Sequence, residues 1–355
     1  MPIVATETGR FYETYRAETV LHPTIHTRVA AWVAVAGALV VVPLVASEYW
    51  LVTLTGVAVA AMGALAVNVL TGFTGQISIG TAAFVAVGAY TAGNLASRFD
   101  ASPLLVLPAA ALVTGVVAMV VGVAALRIKG LYLAIATLTF QFIVEWLLAH
   151  WSQVTGGVQG VITIPATTIG PISVGTGGTA LGKYLFCVAV LVLAVIFTEN
   201  VFRTRVGRAF VAIRDQYVAA EGVGIPVFRY KLLAFFFSSA LAGLAGALYA
   251  YYVGLISSEQ FGLELSIRYL AMILIGGLGS IPGAILGAAF VTLIPVFLRD
   301  TLPDLGIEFA AGTQVHVEQI LFGVAVLAFL ILEPRGLHGL YQNIKDYFRN
   351  WPYSY

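Results

Sequence analysis

Five histidines, one cysteine and a glycine-rich run ending in lysine are the residues with the types to hold a metal, form a thiolate or cradle a phosphate. Their spacing supports none of these. His22 and His26 stand four apart, but Pro23 intervenes and no third ligand is evident; His150, His316 and His338 are scattered among span ends and tails. Cys187 is alone in an apolar stretch, which excludes an intrachain disulfide and a thiolate cluster. Positions 177–183 read GGTALGK, the spacing of a phosphate loop, yet Tyr184 follows where magnesium needs Ser or Thr. No Ser/His/Asp arrangement is legible. Two ionisable groups lie within apolar stretches: Glu145, one helical turn from Gln141, and Arg268. Groups that couple ions to movement sit at mid-membrane, and neither of these is central in its stretch. The chain is expected to carry no metal, no cofactor and no catalytic residue. An active process would draw on an ion gradient or on a separate ATPase.

A second set of residues suits neutral polar chemistry. Asn68, Thr74, Gln76, Ser78 and Thr81 cluster in NVLTGFTGQISIGT around a glycine-rich dip. A second dip, GGLGSIPG at 276–283, echoes it faintly, and both precede runs of small residues. Such breaker-rich backbone at membrane depth is tolerated only when buried in protein or lining a wet cavity. The echo fits the duplicated architecture of transporters. Two readings stand: these side chains face a translocation path, or they brace the helix break. Gln141 and Glu145, nearer the outer end, either polarise the outer mouth toward a solute ammonium or hydrogen-bond a neighbouring span.

The elements that must position them follow from composition. The chain of 355 residues is 60% hydrophobic and 10% charged, where soluble domains run near 45–50% and 25%. No charge lies between Glu48 and Arg98, room for two spans of roughly 20 residues. The expected fold is all-α, a polytopic membrane protein of about ten helices with broken or re-entrant segments. The spans are placed at 29–45, 49–69, 79–95, 104–126, 131–150, 184–198, 232–253, 263–278, 281–298 and 317–332. The eighth and ninth also read as one broken hairpin. With the N-terminus in the cytoplasm, 14 of 18 Lys and Arg fall on the inner side, as the positive-inside rule favours. Both termini are then cytoplasmic. Residues 1–28 form an inner segment without a cleavable signal, 29–332 the membrane domain and 333–355 an amphipathic tail that lies on lipid or on the protein's own loops. The uncharged 151–182 loop covers a pore mouth, meets an external partner, or is plain disordered surface. A net charge of +1 gives no sign of nucleic acid.

One loop stands apart. Positions 203–231 carry six of the 18 basic residues, and the middle reads as a short Ala-rich helix broken by Gly222 and Gly224 before Pro226. A connection between helices needs only a few residues. A longer, punctuated one suits docking of a partner; the plainer reading is a lipid-facing loop that obeys the charge rule.

Together these motifs resemble the permease subunit of a high-affinity branched-chain amino acid (LIV-type) ABC importer, over about residues 49–340. The resemblance rests on NVLTGFTGQISIGTAAFVAVGAY, RIKGLYLAIATLTF, TGGVQG, GRAFVAIRDQYVAAEGVGIPVFRYKLLAF, MILIGGLGSIPGAILGA and EPRGL, in that order. It implies a homologous second permease, two cytoplasmic ATPases that hold ATP and magnesium, and an extracytoplasmic solute-binding protein, in a bacterial-type inner (plasma) membrane. The family's coupling pattern E-A-A-x3-G is met at Ala219, Ala220 and Gly224; Val218 replaces the acid and Glu221 follows the alanines. Arg214, Ala219, Ala220, Glu221, Gly222 and Gly224 are the implied contacts to the ATPase. Thr81 stands where many relatives carry His. The alternative is a stand-alone carrier or channel for a small neutral solute such as urea or an amide.

Overall fold

The computed structural model describes residues 35–126, 131–157, 159–169 and 172–304, together with 33, 336–340 and isolated positions between 317 and 331. The N-terminal segment 1–28, most of the expected span 317–332 and most of the 333–355 tail lie outside the described residues.

Among the described residues, nine helices of fourteen or more residues build the membrane domain. They are α1 (Glu48–Val67), α2 (Thr81–Phe99), α3 (Pro103–Ala125), α4 (Leu131–His150), α5 (Ala180–Arg203), α6 (Arg205–Gly222), α7 (Val227–Val253), α8 (Leu263–Gly276) and α9 (Ile281–Asp304). A helix pairs the backbone N–H and C=O groups of its interior within itself, which the bilayer requires. Among the described residues five helices are long and apolar enough to cross a membrane, or six if the bent pair α8–α9 is one span. The chain is thus an all-α, multi-pass membrane protein, and these helices do not establish ten spans. The expected short sixth span is longer than it reads, 24 residues in α5. The third begins at Thr81, not at 79, because Gly75 to Gly80 is not helical.

Helices α1 and α7 are mostly buried, whereas only a third of the apolar stretch of α3 and of α4 is buried. The buried helix α2 passes between its neighbours. It lacks the apolar length of a lipid-facing span, since most of its residues touch protein. Its alanines pack directly on α7. A methyl group on Gly88 would collide with the Gly243 backbone, and one on Gly246 with the Val85 carbonyl. Small residues let the two backbones touch, which is how helices associate in lipid without a hydrophobic drive.

Two departures from regular helix matter for function. α1 ends in a wide π turn, Asn68–Gly72, of a kind that often marks functional positions. α8 and α9 meet at a 120° bend, so the chain doubles back as the broken-hairpin reading expects. Gly277 and Gly279 make the turn with φ of 110° and 75°, a region that residues with a Cβ avoid.

At the opposite end the 151–182 loop is folded. Strand β1 (Ile162–Thr163) pairs antiparallel with β4 (Leu255–Ile256), and β2 (Thr167–Ile169) pairs with β3 (Ile172–Val174). Ile164 and Ile256 are fully buried, and Ile256 lies against Gly93 near the end of α2. The disordered-loop reading therefore fails: this segment is a cap stitched to the α7–α8 connection.

Candidate functional site

The fold divides the expected polar residues into two groups. The first surrounds the end of α1. Asn68 is fully buried. Its Nδ2 donates to the Ser280 carbonyl at 2.8 Å, and its Oδ1 accepts from the Gly279 N–H at 2.9 Å. The two glycine-rich dips, 211 residues apart, are thereby clasped to each other. Beyond the π turn the helix closes at Gly75, whose φ is 67°, and burial alternates: Thr74, Gln76 and Ser78 are buried while Gly75 and Ile77 are exposed. Gln76 Nε2 donates to Thr74 Oγ1 at 3.1 Å and to the Lys231 carbonyl at 3.4 Å, at the start of α7. Its Oε1 is buried without a partner.

The second group lies deeper. Gln141 is ten residues into α4, about 15 Å along it. It is fully buried and bonded on both sides. Its Oε1 accepts from the Ala83 N–H at 2.7 Å; its Nε2 donates to the Phe261 carbonyl at 2.8 Å and to Glu145 Oε1 at 2.9 Å. Ser266 Oγ accepts from the Ala82 N–H at 2.8 Å, and Thr137 Oγ1 accepts from the Ile79 N–H at 3.0 Å. These side chains satisfy N–H groups around the start of α2 that have no partner inside the helix. Thr81, buried, is the first residue of that turn. Gln141 and its neighbours therefore brace the break in this state. Thr137, Ser266 and Ser280 are hydroxyl residues that spacing alone does not single out, because their partners lie on other elements. Arg268 pairs with Glu264 on the exposed side of its own helix at 2.9 Å, and the buried-charge reading does not apply to it.

The basic loop folds as α6, and α6 is two helices in sequence. Gln216 has φ −158° and ψ 94°, which breaks it. Before the break Gly207, Ala209, Phe210 and Ile213 are buried against the bundle. After it every position from 217 to 224 is exposed except Ala220. Lys231 Nζ sits 5.5 Å from the centre of the Tyr217 ring, steadying the projecting turn. Val218 and Val223 are 60% and 84% exposed, and added methyls at Gly222 or Gly224 would meet nothing within 4 Å. Ala219 is exposed with them, and so is Glu221. The expected contact set is thus corrected at one position, Ala220. Ala220 is turned into its own protein, 5% exposed. Arg214 precedes the break, and its Nη1 donates to the Gly72 carbonyl at 2.7 Å.

No group of three metal-type ligands occurs among the described residues. The GGTALGK run is a turn followed by the start of α5, and Lys183 Nζ donates to the Tyr252 carbonyl at 3.0 Å. In the 336–340 turn, burial holds His338 below the ordinary histidine pKa of 6.5. What the arrangement offers is mechanical. A projecting apolar turn is wired to a clasped pair of helix breaks.

Comparison with known proteins accords with that architecture. Residues 49–330 match the family described as branched-chain amino acid transport system / permease component. The chain is 33% identical over 256 residues to the high-affinity branched-chain amino acid transport system permease protein LivM of Salmonella typhimurium, covering 66% of this chain and 60% of that protein. To LivM of Escherichia coli it is 31% identical over 293 residues, 77% of this chain and 66% of the relative. To the autoinducer 2 import system permease protein LsrC of an Enterobacter species it is 36% identical over 154 residues, 42% of this chain and 43% of the relative. The chain spans about three fifths to two thirds of the LivM relatives' length. No solved structure matches. With most of its length matched, the chain belongs to the family of branched-chain amino acid transport system permease components.

Proposed function

We propose that this chain is one half of the membrane pore of an ATP-driven importer for branched-chain or related small polar amino acids. A homologous permease forms the other half. Two ATPases dock on the α6 side and hold the ATP and magnesium, and a solute-binding protein delivers cargo on the cap side. The observation that carries this reading is the segment 217–224. It projects from the bundle with an exposed apolar edge of Val218, Ala219, Gly222 and Val223, and a methyl added at Gly222 would meet nothing within 4 Å. An isolated carrier has no use for a rigid apolar turn held off its surface. A cleft in a partner does, and movement there shifts the attached helices.

The test is reconstitution in liposomes with the co-encoded ATPases, sister permease and binding protein, following leucine uptake and ATP hydrolysis. Wild type takes up leucine only with ATP inside. Ala219→Trp assembles with the sister permease and loses the ATPases, because bulk on a tight contact costs roughly 1–3 kcal/mol. Uptake without ATPases overturns the reading in favour of a stand-alone carrier. The same assay is run with autoinducer 2, the cargo named for the LsrC relatives; uptake of that solute in place of leucine overturns the amino-acid assignment.

A further inference from the structure

We propose that Arg214 is the positioning residue that ties the ATPase-facing turn to both helix breaks, so that the three move as one body. The inference rests on the coupling role of α6 proposed above and concerns what lies behind the docking face. Arg214 is two residues before the break at Gln216, on the last turn anchored to the bundle. Its stem lies on Gly75: a methyl there would be 3.3 Å from Arg214 Cγ. Its guanidinium donates to the Gly72 carbonyl at 2.7 Å, at the end of the π turn of α1. The same nitrogen lies so near Gly279 that a methyl on that residue would be 2.5 Å from Nη1. Gly279 is in turn held by Asn68. Two glycines, Gly75 and Gly279, thus leave the space that one long cation fills, between two loops far apart in sequence. A planar head with several donors suits that place better than the point charge of a lysine. Asp215, 3.7 Å from Nε, holds the near side of the guanidinium.

The test uses the assembled importer in nanodiscs: this chain, the sister permease and both ATPases. Leu278→Cys reports on the second break, since Leu278 is 49% exposed there and the native Cys187 is fully buried. The rate of N-ethylmaleimide modification is measured without nucleotide and with ATP plus vanadate. In the Arg214 parent, nucleotide changes the rate severalfold. In Arg214→Ala the ATPases still co-purify and the nucleotide effect disappears; Arg214→Lys recovers part of it. Should Arg214→Ala fail to fold or to pair with the sister permease, a weakened response in Arg214→Lys with ATPases bound supports the tie, and a full one overturns it. With the permease pair intact, a full response in Arg214→Ala, loss of the ATPases from that variant, or a parent whose reporter ignores nucleotide each overturns it. A parent that never binds ATPases instead defeats the coupling role itself.

Discussion

At the level of single residues, Asn68 and Gln76 look alike in sequence and differ in the fold. Both are neutral amides beside the same dip and both are buried. Asn68 uses its donor and its acceptor on the backbone of a distant loop. Gln76 uses its donor on Thr74 and on the start of α7, and its oxygen has no partner. A buried group that loses its partner costs roughly 1–3 kcal/mol. Asn68→Leu orphans the Ser280 carbonyl and the Gly279 N–H, so its melting temperature in detergent should fall well below that of Gln76→Leu. Gln76→Leu should stay assembled and lose leucine uptake. Equal melting of the two variants would contradict the clasp, and normal uptake by Gln76→Leu would remove that residue from the working site.

Among the elements, α6 shows how one backbone torsion reassigns its neighbours. Ala219 and Ala220 are equivalent in any pattern of small residues. The break at Gln216 rotates the last turn so that one faces out and the other in. Ala220→Trp should therefore destabilise the chain itself by roughly 1–3 kcal/mol through overpacking, visible as lower yield and earlier melting of the isolated permease. Ala219→Trp should melt as wild type and fail only in binding ATPases. The reverse order would mean that the turn packs the other way round. Before the break the pattern was legible, because Gly207, Phe210 and Ile213 stand at helical spacing. The break itself was not, since Gln216 has no intrinsic preference for that torsion and adopts it only between two packed ends.

For the whole molecule, the cap of β1–β4 and the α6 turn lie at opposite ends of the bundle, so they should meet different compartments. In the proposed importer α6 is the cytoplasmic end, the orientation that the positive-inside rule favours. Thr155 is buried under the cap, so Gln159, which is exposed, is the better probe of the outer end. In intact cells Gln159→Cys should react with an impermeant thiol reagent, and Asp215→Cys should react only after the membrane is opened. The opposite labelling would invert the orientation.

Composition alone settled the solvent and the fold class: a chain this apolar, with charges this sparse, satisfies its backbone in lipid only as helices. The glycine-rich dips announced breaks, because glycine both ends helices and permits positive φ. The basic loop announced an aqueous segment of unusual length. What remained was pairing across long separations. That Asn68 clasps Gly279, that Arg214 turns inward to Gly72, that Gln141 caps α2 and that Ala220 is internal are facts about which surfaces meet. A single sequence records the period of a helix and the sites where it must break. It does not record the rotation of one helix against another, and only the packed bundle, through the close approach its small residues allow, decides that.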